Sequence, residues 1–455
     1  MTRIPLCDAL IAAQSTLRAN FHATPSGGEP HLDDPELAGT FDRLFGATRR
    51  FDQSWSHASL DSFHRPDRAL HAAQRLAADA FGVDRTYFLS TGASTANIVA
   101  TTSALARGGR VLLDPTAHQS LHFTVERDAG AVDLMPCNGD TINVDAAYDL
   151  LVARSRDGRP PDVVILAASS YDGRRLDCRS VLPRLAAAVP RARFILDDAW
   201  CALHTFAPRT SGSGPVAGIA QLRADGLTNP VLVVHSAHKT MLAMRQAAYV
   251  HVSTGGEPDL ASRVSQSVFI HHTTSPSWPI LASLDIAREH AVRSGAQAVE
   301  RAAAHAADLR RRIDSETVFT IGTLPPVQGY TVDPLRVHIE VPARFDAEQC
   351  RRRLWDESGI HISRISAGRL VVAMTLGVSG SAIDALIAGL RSVGRPPGRR
   401  REAGPCTVIS NAPFVIAYPP GIPLATPFEQ RSTSDEFPCV GGSELFEIDP
   451  RWGTR

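Results

Sequence analysis

The stretch Val231-Leu-Val-Val-His-Ser-Ala-His-Lys-Thr240 decides how the chain folds. Its first four residues are valine or leucine, the unbroken apolar run that a strand buried on both faces requires. Small and polar residues end the run, and Lys239 follows just past the strand's carboxyl end. In a parallel sheet that edge is where ligands bind. The lysine is also singular: of 47 basic residues in the 455-residue chain, Lys239 is the one lysine and the other 46 are arginine. Arginine stays protonated in proteins, whereas a desolvated lysine amine loses its proton and becomes a nucleophile. Compositional drift that spared one residue would leave the same count, so the neighbouring motifs must decide.

Further strand-like runs lie on either side: Tyr87–Ser90, Arg110–Leu113, Val163–Leu166 and Phe194–Leu196. Apolar helical periodicity runs through Leu70, Ala73, Ala77 and Phe81, and helical stretches separate the strands. Buried runs alternating with helices predict an α/β fold with a mostly parallel sheet. Residues 1–50, with the Pro/Gly-rich Thr24–Pro30, are expected to form an arm, and residues 51–300 the large domain. A helical stretch from Ile280 to about Ile313 leads into a smaller α+β domain, residues 301–393. Its expected strands are Arg336–Val341, Gly359–Ile362 and Arg369–Ala373, with helices near 346–357 and 380–393. Residues 394–455 read as a linker, Gly394–Arg401, and a loop-rich tail carrying Tyr418-Pro-Pro-Gly-Ile-Pro423.

Composition excludes several classes. With 47 acidic residues against 47 basic, the net charge is zero, which gives no electrostatic reason to expect nucleic acid or an anionic membrane as partner. No apolar run is long enough to span a bilayer, and Asp8 interrupts where a signal peptide would be apolar. Seven cysteines without CxxC pairing argue for a reducing compartment and against a metal site. A cytoplasmic globular protein is expected.

Three other stretches bear on Lys239. In Tyr87-Phe-Leu-Ser-Thr-Gly-Ala-Ser-Thr-Ala-Asn97 a strand turns through Gly92 into a helix, whose first N–H groups, at Ala93, Ser94 and Thr95, form a cup for a phosphate. Helix capping alone would explain the same Ser and Thr. Phe194-Ile-Leu-Asp-Asp-Ala-Trp200 puts Asp197 at a strand end, suited to pair with a protonated pyridine nitrogen or, more blandly, to form a salt bridge. His118, in Asp114-Pro-Thr-Ala-His-Gln-Ser120, could stack on an aromatic ring and move a proton, though one His among 17 says little by itself. Ser236 and His238 add donors beside Lys239. In order along the chain stand a phosphate cup, a histidine, an aspartate at a strand end and a lysine, the set pyridoxal phosphate needs.

These motifs resemble the Orn/Lys/Arg decarboxylase family, on the aspartate-aminotransferase fold (fold type I of the pyridoxal-phosphate enzymes). The resemblance covers about residues 51–300 and returns at the C-terminus. It is carried by Ser59-Leu-Asp-Ser-Phe-His-Arg-Pro66, Ala73–Ala78, Thr91–Asn97, Ser170-Tyr-Asp-Gly173, Asp197-Asp-Ala-Trp200, Ser236-Ala-His-Lys239, Thr273-Thr-Ser-Pro276 with Ala282–Asp285, and Tyr418–Pro423. It implies pyridoxal 5′-phosphate as cofactor, with Lys239 as Schiff-base lysine, His118 stacked on the ring, Asp197 on the pyridine nitrogen and Ala199 against the ring. Ser170 falls near the cofactor's phenolic oxygen, and Thr274 and Ser275 lie in a segment that reaches the neighbouring subunit's site. A homodimer is therefore implied.

The sequence departs from the family's pattern at Pro25-Ser-Gly-Gly28, at Arg245-Gln-Ala-Ala248 and at Ser363, where a glutamate is expected. The family's N-terminal wing domain finds no counterpart, as in its short forms. The resemblance implies decarboxylation of a basic amino acid, with Lys239, His118 and Asp197 as catalytic residues. Glu429 and Asp61 are candidate partners for a basic substrate side chain. Transamination, oxidation or elimination on the same cofactor is the alternative, with Arg364 or Arg369 as carboxylate anchor. A non-enzymatic protein keeping the fold is a third reading, against which intact Lys239, Asp197 and His118 weigh.

Overall fold

The computed structural model describes residues 3–19, 21, 34–207, 214–394, 407–410, 412–418, 421–428, 435–438 and 444–448. Its central sheet has seven strands: β1 (Arg85–Leu89), β2 (Arg110–Leu113), β3 (Ala131–Leu134), β4 (Val163–Ala167), β5 (Arg193–Asp197), β6 (Val231–His235) and β7 (Ala248–Ser253). The spatial order is β1-β7-β6-β5-β4-β2-β3. β6, β5, β4, β2 and β3 are mutually parallel, while β7 runs antiparallel to both β1 and β6. Strands β4 to β6 are buried nearly throughout. Each Val, Leu or Ile so enclosed stabilises the fold by roughly 1.5–3 kcal/mol, which is why unalternating apolar runs settle at the centre of the sheet.

Two strands escape the sequence pattern. β3 is a partly exposed edge strand whose Asp133 pairs with Arg154. β7 carries His251 within Tyr-Val-His-Val, which breaks the apolar run, yet His251 is wholly buried. Its Nε2 lies 3.0 Å from His235 Nδ1 on the neighbouring β6, and its Nδ1 lies 2.9 Å from Thr86 Oγ1 on β1. A polar side chain is tolerated in the core when its neighbours satisfy it.

The first helix, α1 (Pro5–Thr16), buries Leu6, Cys7 and Leu10 against α2 (Ala69–Phe81) and the long α6 named below. The described part of the expected arm thus holds this docked helix and, at Pro35–Phe45 and Gly46–Phe51, two further helical segments with no buried residues, whereas Pro25–Gly28 lie outside the described residues. Helices α3 (Gly92–Ala104), α4 (Gln119–Asp128) and α5 (Leu260–His271) pack together, α3 in contact with the other two. Helix α6 (Trp278–Glu316) continues unbroken through residue 300.

Beyond it a four-stranded antiparallel sheet forms from β8 (Thr320–Gly322), β9 (Arg336–Glu340), β10 (Arg364–Ser366) and β11 (Arg369–Ala373), in the order β8-β9-β11-β10. Helices α7 (Ala347–Ser358) and α8 (Gly380–Val393) accompany it. The strand expected at Gly359–Ile362 is absent, because Gly359 adopts φ +65° as the left-handed cap of α7 and redirects the chain. The extended segment starts at Arg364 instead.

The tail is not loop-rich where it is described. β12 (Phe414–Tyr418), β13 (Ile422–Ala425) and β14 (Glu444–Ile448) form a small antiparallel sheet in the order β13-β12-β14. Phe414 packs edge-on against Phe123 of α4 with ring centroids 4.8 Å apart. The linker residues 395–401 and Glu429 lie outside the described residues. Among the described residues no helix is long and apolar enough to cross a membrane.

Candidate active site

Lys239 stands in a single helical turn, Ala237–Thr240, directly after β6. The turn is fixed from both sides. Lys239 N–H donates to Ser236 O at 3.0 Å, and His238 Nδ1 lies 3.1 Å from Ala247 O, so that ring nitrogen carries a hydrogen and donates. Burial lowers the Lys239 amine to about 8, with Asp197 opposing the shift and Arg336 adding to it. At neutral pH roughly a tenth of such amines are unprotonated, far more than for an exposed lysine. The ammonium nitrogen lies 4.0 Å from the centroid of the Trp200 ring.

Asp197 ends β5 and is 6% exposed. Its Oδ2 accepts from Asn97 Nδ2 at 3.0 Å and its Oδ1 from Ala199 N–H at 3.2 Å. Both donors are neutral, so the carboxylate keeps its charge available for a cation. Asn97 Nδ2 also donates to Ser120 Oγ at 3.1 Å, and that hydroxyl lies 2.9 Å from His118 Nδ1. A continuous chain, Asp197–Asn97–Ser120–His118, therefore joins two of the expected residues. Because His118 Nδ1 also accepts from Ser120 N–H at 3.2 Å, the neutral ring carries its proton on Nε2. Burial holds His118 below the usual histidine range, which Lys239 reinforces and Asp197 opposes.

Helix α3 starts beside the lysine turn. Gly92 takes φ +86°, and its N–H donates to Gln246 O at 2.8 Å. Gln246 itself adopts φ +70°, unusual for a residue with a side chain. No side chain caps the helix, and Thr91 Oγ1 is buried without a partner among the described residues. Ala93, Ser94 and Thr95 thus open a helix whose first donors point outward, an arrangement that attracts an anion.

Trp200 stacks edge-on with Tyr171 at 4.6 Å between centroids, and the Arg336 guanidinium lies 4.8 Å from the Trp200 ring. Tyr171 O–H and Ser363 Oγ are 2.6 Å apart. Arg364 grips Asp172 through two bonds, 3.0 and 3.2 Å, and Ser366 Oγ donates to the same carboxylate at 2.7 Å.

Other expected residues are placed differently. Ser170 Oγ accepts from Arg174 N–H at 2.9 Å and so serves its own turn, while the adjacent Ser169 Oγ accepts from Trp200 N–H at 3.1 Å. Ser236 is buried, with its hydroxyl 3.4 Å from His238 Nδ1. Thr274 and Ser275 are exposed, and no hydrogen bond joins them to the Lys239 cluster among the described residues. Asp61 is spent elsewhere. It accepts from Ser62 and Asp67 N–H through Oδ1, and from Arg68 and Leu70 N–H through Oδ2, at 2.7 to 3.2 Å. It organises the loop leading into α2 and leaves no oxygen for a substrate.

Asn97, Ser120, Trp200 and Arg336 join the site without having been singled out in the sequence, as does Gly421, where a Cβ would stand 3.0 Å from His118 Nε2. Asn97, Ser120, Trp200 and Gly421 stand inside quoted motifs. Arg336 is one arginine among 46 and carries no local signal.

Comparison with known proteins places the chain in a family. The family model "Orn/Lys/Arg decarboxylase, major domain" matches residues 4–339. The chain belongs to the Orn/Lys/Arg decarboxylase family. A lysine decarboxylase of Pseudomonas aeruginosa is 30% identical over 301 residues, a match covering 62% of this chain and 39% of that protein. The chain therefore spans well under half the length of that relative. The arginine decarboxylase of Bacillus subtilis is 25% identical over 413 residues, covering 81% of this chain and 80% of that one. The solved Pseudomonas aeruginosa lysine decarboxylase A superposes with a TM-score of 0.73 at 24% identity, over 85% of this chain and 59% of that chain. That likeness shows the fold, which is fold type I of the pyridoxal-phosphate enzymes.

The family's cofactor is pyridoxal 5′-phosphate, and the residues present fit it. An uncapped helix start with an orphaned hydroxyl suits its phosphate. A buried carboxylate with neutral partners suits its ring nitrogen, and a lysine amine brought to about 8 suits its aldehyde.

Proposed function

We propose that this chain is a pyridoxal-phosphate-dependent amino-acid decarboxylase acting on a basic amino acid, as its named relatives do, and releasing carbon dioxide and an amine. The observation that carries the reading is Lys239. The chain's one lysine has its amine desolvated over Trp200, within the electrostatic reach of Asp197.

When bound, pyridoxal phosphate supplies an electron sink for the bond that breaks. Lys239 is the residue whose amine would hold the cofactor's aldehyde. Asp197 keeps the ring nitrogen protonated, and Asn97 and Ala199 hold that carboxylate in place. The opening N–H groups of Ala93, Ser94 and Thr95 would take the phosphate, with Ser236 and His238 as further candidate donors. His118 would cover the ring, with its Nε2–H or the Lys239 amine as the proton donor to the substrate's α-carbon. Weighing against the transamination reading, Arg364 is paired with Asp172 and Arg369 with Glu340.

The same proposal includes a homodimer and a cytoplasmic setting. Leu242, Met244, Phe269 and Ile270 are exposed apolar side chains, and Thr274 and Ser275 are exposed too, which supports cover by a second copy. Buried free thiols at Cys7, Cys178 and Cys201 suit a reducing compartment.

The test is carbon dioxide release by the purified, cofactor-loaded chain across a panel of amino acids, with amine and keto-acid products measured together. Lysine, ornithine or arginine is expected to yield carbon dioxide and amine, and Lys239→Ala to yield neither. Keto-acid without carbon dioxide would reject the reading.

A further inference from the structure

Two cations share the Trp200 ring: Lys239 Nζ at 4.0 Å and the Arg336 guanidinium at 4.8 Å from its centroid. They come from different sheets, Lys239 from the turn after β6 and Arg336 from β9. Arg336 is 4% exposed and firmly held. Its Nε donates to Tyr171 O at 3.1 Å, and its Nη1 lies 3.5 Å from Asp333 Oδ2. Its stem passes Gly173, at φ +97°, where a Cβ would stand 2.6 Å from Arg336 Cγ, so any larger residue would obstruct it. Nη2 is buried with no hydrogen-bond partner among the described residues. Arg174, Arg288 and Arg364 also leave a buried nitrogen with no hydrogen-bond partner among the described residues, so what sets Arg336 apart is the ring it contacts. This one lays its guanidinium on an aromatic ring that a lysine also occupies.

We propose that Arg336 is a positioning residue for Lys239: as a permanent cation on the shared Trp200 ring, it disfavours a second positive charge there and biases the Lys239 amine towards its neutral, nucleophilic form. The groups acting on Lys239 are few. Asp197 favours the ammonium and Arg336 disfavours it. His118 and His238 face the turn and are biased to neutrality by burial, while Arg245 lies on the following loop and acts on His238. Asp333 offsets Arg336 only in part, because its Oδ1 is also taken by His204 Nε2 at 3.0 Å and Leu335 N–H at 2.9 Å. Arg336 thus supplies a fixed charge that Lys239 would otherwise meet only through burial.

The inference deepens the reading of Lys239 as the cofactor lysine, but its test does not depend on that reading. In the full chain freed of cofactor, Lys239 is labelled by an amine-directed acylating reagent across pH, and its peptide is quantified by mass spectrometry. The parent midpoint is expected near 8. Arg336→Gln should raise it by about half to one unit, a three- to tenfold smaller neutral fraction at fixed pH. Arg336→Lys, resolved as a separate peptide and able to keep part of the charge, should raise the Lys239 midpoint less than Arg336→Gln does. Should Arg336→Gln not fold, Arg336→Met, whose unbranched stem fits the channel past Gly173, carries the same comparison. An unchanged midpoint in a folded neutral variant, or an equal rise in Arg336→Lys, overturns the proposal. If the parent chain fails to capture pyridoxal phosphate while the midpoints shift as expected, the functional reading falls and the role of Arg336 stands.

Discussion

Gly421 abuts the Nε2 edge of His118. A Cβ at Gly421 would stand 3.0 Å from that nitrogen, and Gly421 O accepts from Gln119 N–H at 2.8 Å. Gly421, just before β13, therefore packs on a residue about 300 positions earlier and fixes one side of its ring. Gly421 also sits at φ +84°, where side chains are strained.

Gly421→Ala should accordingly act twice, through backbone strain and through displacement of His118. The expected loss of stability is about 1–2 kcal/mol. The larger effect should be on activity, down by roughly ten- to a hundredfold from a misplaced ring. Equilibrium unfolding beside kcat and cofactor affinity checks this. A variant destabilised as expected but fully active would mean that His118 does not need its C-terminal support.

Asn97 bridges Asp197 and Ser120 from within α3. Replacing it with Leu removes one donor from a buried carboxylate and cuts the chain to His118. The cost should be about 1–3 kcal/mol of stability. Affinity for pyridoxal phosphate should also fall, because Asp197 loses its fixed orientation. Fluorescence titration of the apoprotein measures that affinity, and an unchanged dissociation constant would count against the role given to the bridge.

How far these residues were legible in the sequence follows from how each is held. Lys239, Asp197 and His118 stand at the ends of apolar runs, and a run's end can be read from a single sequence. So the central strands, the parallel sheet and the ordered set of polar residues were all visible. Asn97 looks like any polar residue of a helix until the third dimension brings it to Asp197. The packing of Gly421 on His118 is a contact across most of the chain, which no local pattern encodes. Asp61 shows the reverse error. A buried carboxylate suggests a ligand, yet four backbone N–H groups had already claimed it. β7 was hidden by His251, whose partner His235 lies on another strand.

Asp172 ties the segment after β4 to β10 through Arg364 and Ser366. Burial pushes its carboxyl up, but Arg364, Ser366 and His338 outweigh burial and hold it below the usual range. A depressed folded-state value means the contribution is complete above the ordinary aspartate pKa, about 4, and is lost as pH falls through the lower folded value. Asp172→Asn should cost about 2–3 kcal/mol at pH 7 by leaving Arg364 poorly paired. The gap between variant and parent should narrow below about pH 4. Urea unfolding across pH checks the sign, and a gap that widens on acidification would refute it.

Lys239 gives the most direct test, because its chemistry and its uniqueness coincide. With the amine lowered to about 8, the neutral fraction should rise about tenfold per pH unit below that value and level off above it. The rate of pyridoxal-phosphate capture by the apoprotein should follow the same curve, read from the growth of cofactor absorbance. Stability has its own sign. Above about 8 the folded lysine has released a proton that the unfolded chain still binds, so Lys239 contributes a gain in stability with rising pH up to its ordinary value near 10. Lys239→Met should remove that gain and abolish capture while leaving the fold intact. Borohydride reduction fixes the cofactor to whichever amine holds it, and the sequence offers one lysine. Label recovered on the Lys239 peptide is the expected result, and label confined to the amino terminus would move the site away from β6.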